Sequence, residues 1–428
     1  MSERCPDAAA ARTALASGAL TPRGLVGTCR ARIAAREPEV MAWAALDAAA
    51  IEAERARVET IPAAHRGPLW GLPVAVKDVF DTADLPTTYG SEIYAGHRPA
   101  ADAAAVARLR AAGALVLGKT VSTEFAWWQA GPTRNPHDPA RTPGGSSQGS
   151  AAAVADGMVP LALGSQTAAS TIRPAAFCGC VGLKPTHGLI SSVGVKALAG
   201  SFDTVGVFAR RVGDAALLAG VLSGEAWGAL APAPPMGIAR WKGPEWAAAE
   251  GPAVEAVEAA LARLAAAGAT VTDAPVRPPF DRLTAAHGQV LAAEAARDLA
   301  HEARTGWDRL SRPLRDLLET GAALPAAERA AARALIGACA RDLDGLFGGA
   351  ALLAAPSAIG EAVPRERGTG NPDMSRAFTA LGLPAISIPC GAGPAGLPLG
   401  LQLVARPGED AALLSAALWA EGVLGRGA

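Results

Sequence analysis

Apolar positions along the chain change from a helical period to an alternation of short strands and helices. Residues 21–35 and 48–58 carry apolar side chains at helical spacing, and Thr21 followed by Pro22 is typical of an N-cap and a first helical turn. The elements predicted next are a strand at 72–76, an amphipathic helix at 102–112 and a buried strand at 114–117. Because strands and helices alternate, the pattern predicts an α/β fold in which helices cover a sheet.

The second half of the chain is predicted to be mostly helical before sheet-like sequence returns. Residues 215–345 are rich in Ala and Leu, with a strand or loop at 269–276. The later elements predicted are strands at 351–355, 384–389 and 400–404, followed by a helix at 409–421.

Two loops of small polar residues interrupt the α/β pattern. Residues 131–150 are rich in Gly, Pro, Ser and Asn and run into a small-residue helix at 151–156. Residues 164–174 read GSQTAASTIRP and follow the apolar stretch at 158–163. Since only about twenty residues separate the two loops, they can converge on one point.

The charge balance and the cysteines limit the classes of function. Lys and Arg number 39 against 40 Asp and Glu, so the net charge of -1 gives no reason to expect a nucleic acid or a membrane as partner. No signal peptide or membrane span is predicted, and we expect a cytoplasmic protein that binds a small-molecule substrate. The six cysteines are predicted to be buried thiols, and no Cys or His spacing indicates a metal or cofactor.

Two familiar motifs occur without the structural context that they need. Gly113–Thr120 has the spacing of a phosphate-binding P-loop, but its four central residues are Ala, Leu, Val and Leu, which favour a strand over a flexible loop. Gly145–Gly149 matches the nucleophile elbow of α/β-hydrolases, with Ser147 at its centre. That elbow must follow a strand, whereas here the proline-rich stretch 135–143 precedes it.

Three segments carry candidate chemistry. Lys77 ends an apolar strand, where it either forms a salt bridge to an acid such as Asp78 or acts as a base after burial has lowered its pKa. The Ser- and Gly-rich run around Ser146 is either a linker or an ordered turn. In the third segment Ser170 could attack a carbonyl carbon, while the N–H groups from Thr167 to Ser170 receive the oxyanion.

In this order and spacing the three segments resemble the amidase signature family. The resemblance extends over residues 22–421. The motifs that carry it are GLPVAVKD at 71–78, GKT at 118–120 with Glu124 and Phe125, Asn135-Pro136, PGGSS at 143–147, Ser170, PAAFCG at 174–179, GLKPT at 182–186, GLPA at 382–385 and GLPLGLQ at 396–402.

The resemblance implies a Ser-cisSer-Lys triad in which Lys77 is the base, Ser146 relays the proton and Ser170 is the nucleophile. It also implies a large mixed sheet flanked by helices on both faces, as a single domain spanning 1–428. The parts of this domain are expected to be N-terminal helices at about 1–65, a signature core at 66–210, a helical substrate-side region at 215–345 and a C-terminal completion of the sheet at 350–428. No cofactor or metal is implied, a homodimer is compatible with the family, and a small accessory subunit remains open.

The chain departs from the family pattern beside the nucleophile. Ala168 and Ala169 replace two glycines, which would cost about 1 kcal/mol or more if either position needs a positive φ. Gln148 also replaces a usual glycine. Arg173 is placed as in malonamidase-like members, where the matching arginine holds a substrate carboxylate; the alternative is that Arg173 braces the loop through backbone carbonyls. With Gln166 and Ser147 it completes the expected substrate-binding set.

Three functions follow as hypotheses. The first is an amidohydrolase that acts on a small amide or urea derivative, with a carboxylate on the substrate if Arg173 binds one. The second is the glutaminase-type subunit of a tRNA-dependent amidotransferase, which would need partner subunits. The third is a weakened or inactive binding homologue, suggested by Ala168 and Ala169.

Overall fold

The structure is a computed structural model that describes residues 3–425, so the first two and last three residues of the expected domain lie outside the described residues. The helices, numbered in chain order, are α1 (Ala8–Ser17), α2 (Pro22–Val40), α3 (Ala48–Glu59), α4 (Ala104–Ala111), α5 (Gln148–Asp156), α6 (Ile172–Cys178), α7 (Val212–Ser223), α8 (Gly251–Ala266), α9 (Leu283–Asp298), α10 (Ala300–Gly306), α11 (Arg312–Ala323), α12 (Ala326–Arg341), α13 (Leu343–Phe347), α14 (Asp373–Ala380) and α15 (Asp410–Leu424). The strands are β1 (Trp43–Ala45), β2 (Pro73–Lys77), β3 (Leu115–Thr120), β4 (Leu161–Gln166), β5 (Val181–Lys184), β6 (Thr204–Ala209), β7 (Ile238–Arg240), β8 (Val271–Asp273), β9 (Leu352–Pro356), β10 (Ala385–Ala392) and β11 (Pro398–Val404).

All of these strands join one mixed sheet in the order β1-β3-β2-β4-β6-β5-β10-β11-β9-β7-β8. β2 runs parallel to both β3 and β4, the strands from β4 to β9 pair antiparallel, and β9, β7 and β8 are parallel again. Helices flank the sheet, with α1, α2, α5, α7 and α15 in one apolar cluster and α9, α11, α12 and α14 in another. The predicted fold class, a large mixed sheet flanked by helices, is confirmed.

Local sequence explains how the first long helix begins. The Thr21 hydroxyl accepts the N–H of Gly24 at 3.1 Å, and Pro22 occupies the first helical position, where its missing N–H costs nothing. The helix then runs to Val40, five residues beyond the predicted end. Across the described residues, no helix is both long and apolar enough to cross a bilayer.

Four strands were not predicted, namely β1, β5, β6 and β7. β5 and β6 are short, fully buried and contain glycine, so neither carries the alternation that marks a strand from sequence. β7 has three residues and interrupts a stretch predicted to be helical apart from 269–276. Their partners in the sheet decide that they are strands, because β5 pairs with β10, which lies about 200 residues further along the chain.

The parallel arrangement of β2 and β4 places their carboxyl ends at the same edge of the sheet. Val76 lies opposite Leu163, so Lys77 and Ser165 follow at neighbouring positions. In α/β sheets, ligand sites form at the carboxyl ends of strands. The loops that precede α5 and α6 meet at this edge.

Candidate active site

Lys77, at the end of β2, is fully buried. Its Nζ lies 2.6 Å from Ser146 Oγ and 2.8 Å from Ser165 Oγ. Within residues 3–425 no carboxylate lies at salt-bridge distance from this amine, and Asp78 pairs instead with Lys119 at 3.1 Å. The alternative of a structural salt bridge between Lys77 and Asp78 is therefore wrong.

Burial sets the protonation of this lysine. Loss of hydration disfavours the ammonium form and lowers the pKa of Lys77 to about 7, although the negative charge of Asp203 acts in the opposite direction. A base whose pKa is near 7 is uncharged in about half of the molecules at neutral pH and still holds a proton well. The amine is thus suited to accept a proton from the Ser146 hydroxyl.

Ser146 is presented by a turn that only glycines can form. Gly144 has a φ of 85°, and the peptide bond between Gly145 and Ser146 is cis. A Cβ on Gly145 would lie 2.6 Å from Thr369 Cγ2. The Ser- and Gly-rich run is consequently an ordered turn rather than a linker, and α5 begins two residues later.

Ser170 lies in the second loop, between β4 and α6, and keeps 7 % exposure. Its hydroxyl makes no hydrogen bond within the described part of the chain, and its carbonyl accepts the N–H of Ser147 at 3.4 Å. The two serine loops are therefore in contact through their backbones, with the Ser170 hydroxyl left available to a ligand.

The residues 167–170, which we call the oxyanion loop, present unpaired backbone donors. None of the four N–H groups is bonded to another group among residues 3–425. Neither Ala168 nor Ala169 has a positive φ, so both side chains are accommodated without backbone strain. The replacement of the family's glycines by alanine leaves these donors in place.

The three residues expected to bind substrate are buried and already hydrogen-bonded. The guanidinium of Arg173 donates to the carbonyls of Gly370 at 2.8 Å and Gly145 at 2.7 Å. The Gln166 carbonyl oxygen accepts the N–H groups of Thr171 and Ile172 at the start of α6. These contacts favour the alternative in which Arg173 braces the loops.

Ser147, the third of these residues, accepts the N–H of Ser165 at 3.3 Å and is fully buried at the start of α5. It is not the exposed nucleophile that a hydrolase elbow requires. The P-loop-like segment also has a structural role, because it forms β3. Lys119 in that strand donates to Phe80 O at 2.7 Å and to Thr87 Oγ1 at 2.5 Å.

Three further residues of the site were missed by sequence reasoning. Ser165 is the second hydroxyl on Lys77, and its place beside Gln166 in the polar loop was the available signal. Asp203 accepts the Thr167 hydroxyl at 2.6 Å, and burial raises the pKa of this carboxyl to about 6. His287 donates to the Thr167 carbonyl from α9. Nothing local in the sequence marks Asp203 or His287.

A narrow cavity lies behind the oxyanion loop. Its polar lining comes from Ser165, Thr167, Asp203 and Lys196. Lys196 pairs with Glu302, and its amine lies 5.5 to 5.8 Å from three aromatic ring centroids. Within residues 3–425, no group of three His, Cys, Asp or Glu side chains is arranged to hold a metal ion.

Comparisons with known proteins extend over nearly the whole chain. The profile of the Amidase family matches residues 24–414. In Chloroflexus aggregans, the glutamyl-tRNA(Gln) amidotransferase has an A-type chain that is 37% identical, over 95% of this chain and 93% of its own. A crystal structure of an amidase superposes with a TM-score of 0.89 at 32% identity, over 98% of this chain and all of that one.

A second solved structure has the same TM-score of 0.89 at 28% identity, over 99% of both chains, and comes from a vestigial complex related to the origins of an s-triazine catabolic enzyme. The sequence relatives are amidotransferase subunits. The comparisons therefore support the family as a whole and do not single out the malonamidase-like members that the position of Arg173 suggested.

Proposed function

This chain belongs to the amidase family, and from that premise we propose that it hydrolyses a C–N amide bond through an acyl-enzyme on Ser170. The observation that carries the proposal is a buried lysine, with a pKa near 7, whose amine lies 2.6 Å from Ser146. The unpaired N–H groups beside Ser170 supply the second requirement, a site for negative charge on the substrate oxygen.

The acylation step uses these groups in sequence. Lys77, in its uncharged form, takes the proton of the Ser146 hydroxyl, and Ser146 takes the proton of Ser170 as the Ser170 oxygen attacks the carbonyl carbon. The second hydrogen bond of this relay forms when a bound substrate orders the free Ser170 hydroxyl, since catalytic hydrogen bonds often tighten only in the complex. The C–O bond to Ser170 forms while the carbonyl π bond opens to an oxyanion.

The tetrahedral intermediate then breaks its C–N bond. The leaving nitrogen takes a proton from Ser146, which Lys77 replenishes, so that ammonia or an amine departs and an ester remains on Ser170. A water molecule, deprotonated through the same relay, attacks the ester and releases the acid. Each step returns the proton to its starting group, and the relay is made of this chain's own side chains.

For the biological setting, we propose the glutaminase-type subunit of a tRNA-dependent amidotransferase as the first candidate. It is supported by the A-type amidotransferase chains, which share 35 to 37% identity with this chain over about 95% of its length. In that setting the amide would be glutamine, the released ammonia would pass to a partner subunit, and the chain itself would not contact tRNA through a basic surface.

A stand-alone amidohydrolase for a small, carboxylate-bearing amide or urea derivative is the second candidate. It is supported by the solved amidase of nearly the same length, which matches the whole of this chain's fold. In this setting Arg173, Gln166 and Ser147 shape the pocket, and a carboxylate would have to compete with the backbone carbonyls that Arg173 now holds.

Labelling of the nucleophile tests the chemistry common to both candidates. The purified chain is treated with a fluorophosphonate probe, with Ser170→Ala as the matched variant. We expect labelling of the natural chain and none of the variant. Absence of labelling in both would favour the third hypothesis, a binding homologue that has lost activity.

A substrate panel separates the two candidates. Ammonia or amine release is measured with glutamine, malonamate, ureido-carboxylates, aryl amides and fatty amides, for the chain alone and for a tagged chain purified from its native host. Glutamine hydrolysis that appears or rises at least about tenfold with co-purified subunits supports the first candidate. Turnover of malonamate or a ureido-carboxylate by the isolated chain, without glutamine turnover in either preparation, would overturn it.

A further inference from the structure

His287 lies on α9, outside the segments that supply Lys77, Ser146 and Ser170, yet it contacts the oxyanion loop. Its imidazole is fully buried, and its Nε2 lies 2.8 Å from the carbonyl oxygen of Thr167. The ring also stacks on Phe202, with centroids 4.3 Å apart and planes inclined by 29°. Two contacts from different elements thus fix both the plane and the direction of the ring.

The protonation state of this imidazole follows from its surroundings. Burial and the positive charge of Arg376 lower the pKa of His287 to about 3, so the ring is neutral and carries one N–H. Because a carbonyl can only accept a hydrogen bond, we assign that hydrogen to Nε2. Nδ1 is left as a buried acceptor without a partner among the described residues.

An unpaired buried acceptor makes histidine a poor choice for packing alone. Such a group destabilises a protein by about 1–3 kcal/mol. Leucine or phenylalanine would fill the space against Phe202 without that cost. The Nε2 donor is therefore the property of His287 that packing does not explain.

Holding a carbonyl also aims an amide. In a trans peptide the C=O of one residue and the N–H of the next lie in one plane and point in opposite directions. The bond to the Thr167 carbonyl therefore orients the N–H of Ala168. In the same way Thr379 Oγ1, 2.7 Å from the Ala168 carbonyl, orients the N–H of Ala169.

The next plane of the loop is held by the helix that follows. Arg173 N–H donates to the Ala169 carbonyl at 3.0 Å and so orients the N–H of Ser170. The three planes have anchors on three different elements, and His287 supplies the one that comes from the substrate-side helices. Asp203 holds the Thr167 side chain, not its carbonyl, and so does not replace this anchor.

We propose that His287 is a positioning residue for amide hydrolysis, whose Nε2–H holds the Thr167 carbonyl so that the N–H of Ala168 faces the developing oxyanion. The inference rests on the proposed function of Ser170 and the oxyanion loop. It makes α9 part of the apparatus that stabilises the transition state, in addition to any role in lining the substrate entrance.

The test compares two substitutions of His287 on the best substrate of the panel. His287→Met removes the donor, and His287→Gln keeps an N–H that reaches about the same position. We expect kcat to fall at least about tenfold in the Met variant with KM within about threefold, because removal of one oxyanion donor outright lowers kcat about 100- to 1,000-fold and this change only misdirects one. The Gln variant should retain kcat within about threefold.

Binding of an arylboronic acid, which forms a tetrahedral adduct on the serine, provides a readout that a structural role would not move. Its inhibition constant should rise in the Met variant in proportion to the loss of kcat/KM. His301→Met, on the exposed surface of α10, is the matched control and should leave all three quantities unchanged. If the Met variant does not fold, His287→Phe replaces it as the donor-free variant.

The outcomes separate this inference from the proposed function. A folded Met or Phe variant with natural kcat and boronate affinity would overturn the role of His287, and so would a folded Gln variant that loses kcat as fully as the donor-free variant. Failure of the natural chain to label with fluorophosphonate would instead contradict the proposed function.

Discussion

At the scale of single residues, the site depends on one amine that the fold keeps out of water. Lys77 exchanges its hydration for two serine hydroxyls, and its folded-state pKa of about 7 lies below the ordinary value of 10.5. The same feature that makes it a base also makes it unfavourable for stability. Two predictions follow from this difference, one for activity and one for stability.

The pH dependence of catalysis should report the protonation of Lys77. Because only the uncharged amine can accept a proton, kcat/KM should rise with pH through about 7 and level off above about 8. The measurement is a pH profile of kcat/KM between pH 5 and 9. A profile that stays flat across pH 6–8 would contradict a lysine base with this pKa.

Lys77→Met should abolish turnover and stabilise the fold. The unfolded chain binds a proton at Lys77 up to about pH 10.5 and the folded chain only up to about 7, so the destabilisation is greatest below pH 7 and fades as pH rises to about 10.5. The shift corresponds to at most about 5 kcal/mol, reduced by loss of the serine hydrogen bonds. Denaturant unfolding at pH 6 and pH 10 measures it; a variant less stable than the natural chain at pH 6 would refute it.

Arg173 is predicted to act on all substrates alike. Its guanidinium holds carbonyls from both the cis-serine turn and the loop before α14, so Arg173→Ala leaves buried acceptors unpaired. We expect a loss of about 2–4 kcal/mol in the free energy of unfolding and a similar fall in kcat/KM for carboxylated and uncharged amides. Selective loss of carboxylated substrates, with stability intact, would show instead that Arg173 binds the substrate carboxylate.

At the scale of elements, the catalytic serines depend on how closely short helices approach the sheet. α5 begins just after Ser146, and Gly149 in its first turn lies against backbone. A Cβ at Gly149 would be 2.2 Å from the Ala42 carbonyl oxygen and 2.5 Å from the Val121 nitrogen. Neither neighbour is a flexible side chain that could yield.

Gly149→Ala should therefore push the start of α5 away from the sheet and displace Ser146. We expect a loss of about 1–3 kcal/mol in stability together with a lower kcat. Gly27→Ala, in the middle of α2 with no atom within 4 Å of the new Cβ, is the matched control and should stabilise by up to about 1 kcal/mol. Thermal unfolding and kcat of both variants check this; equal behaviour of the two would count against the close approach.

At the scale of the whole molecule, the sheet is assembled from both ends of the chain. β10, β11 and β9 lie between β5 and β7, and β7 and β8 join the sheet only through β9. These contacts support the expectation of a single domain, although the parts at 1–65, 66–210, 215–345 and 350–428 have not been separated.

A chain truncated after residue 345 should not fold into a stable core. It would keep the three segments that carry the triad but leave the edge of β5 open and β7 and β8 unattached. We expect low solubility, no cooperative unfolding transition by circular dichroism and no fluorophosphonate labelling. A truncated chain that unfolds cooperatively and labels at Ser170 would show that residues 1–345 contain an independent domain.

By itself the sequence determined the catalytic segments and the kind of sheet that holds them. Lys77, Ser146 and Ser170 stand in motifs whose chemistry is written in adjacent residues, and the sequence pattern of the longer elements, such as β2, α5 and β11, was sufficient to locate them. Tertiary structure decided what those residues contact. Arg173 meets Gly370 197 positions away, and His287 meets Thr167 120 positions away. Contacts between distant segments depend on how the whole sheet closes, so no local pattern encodes them.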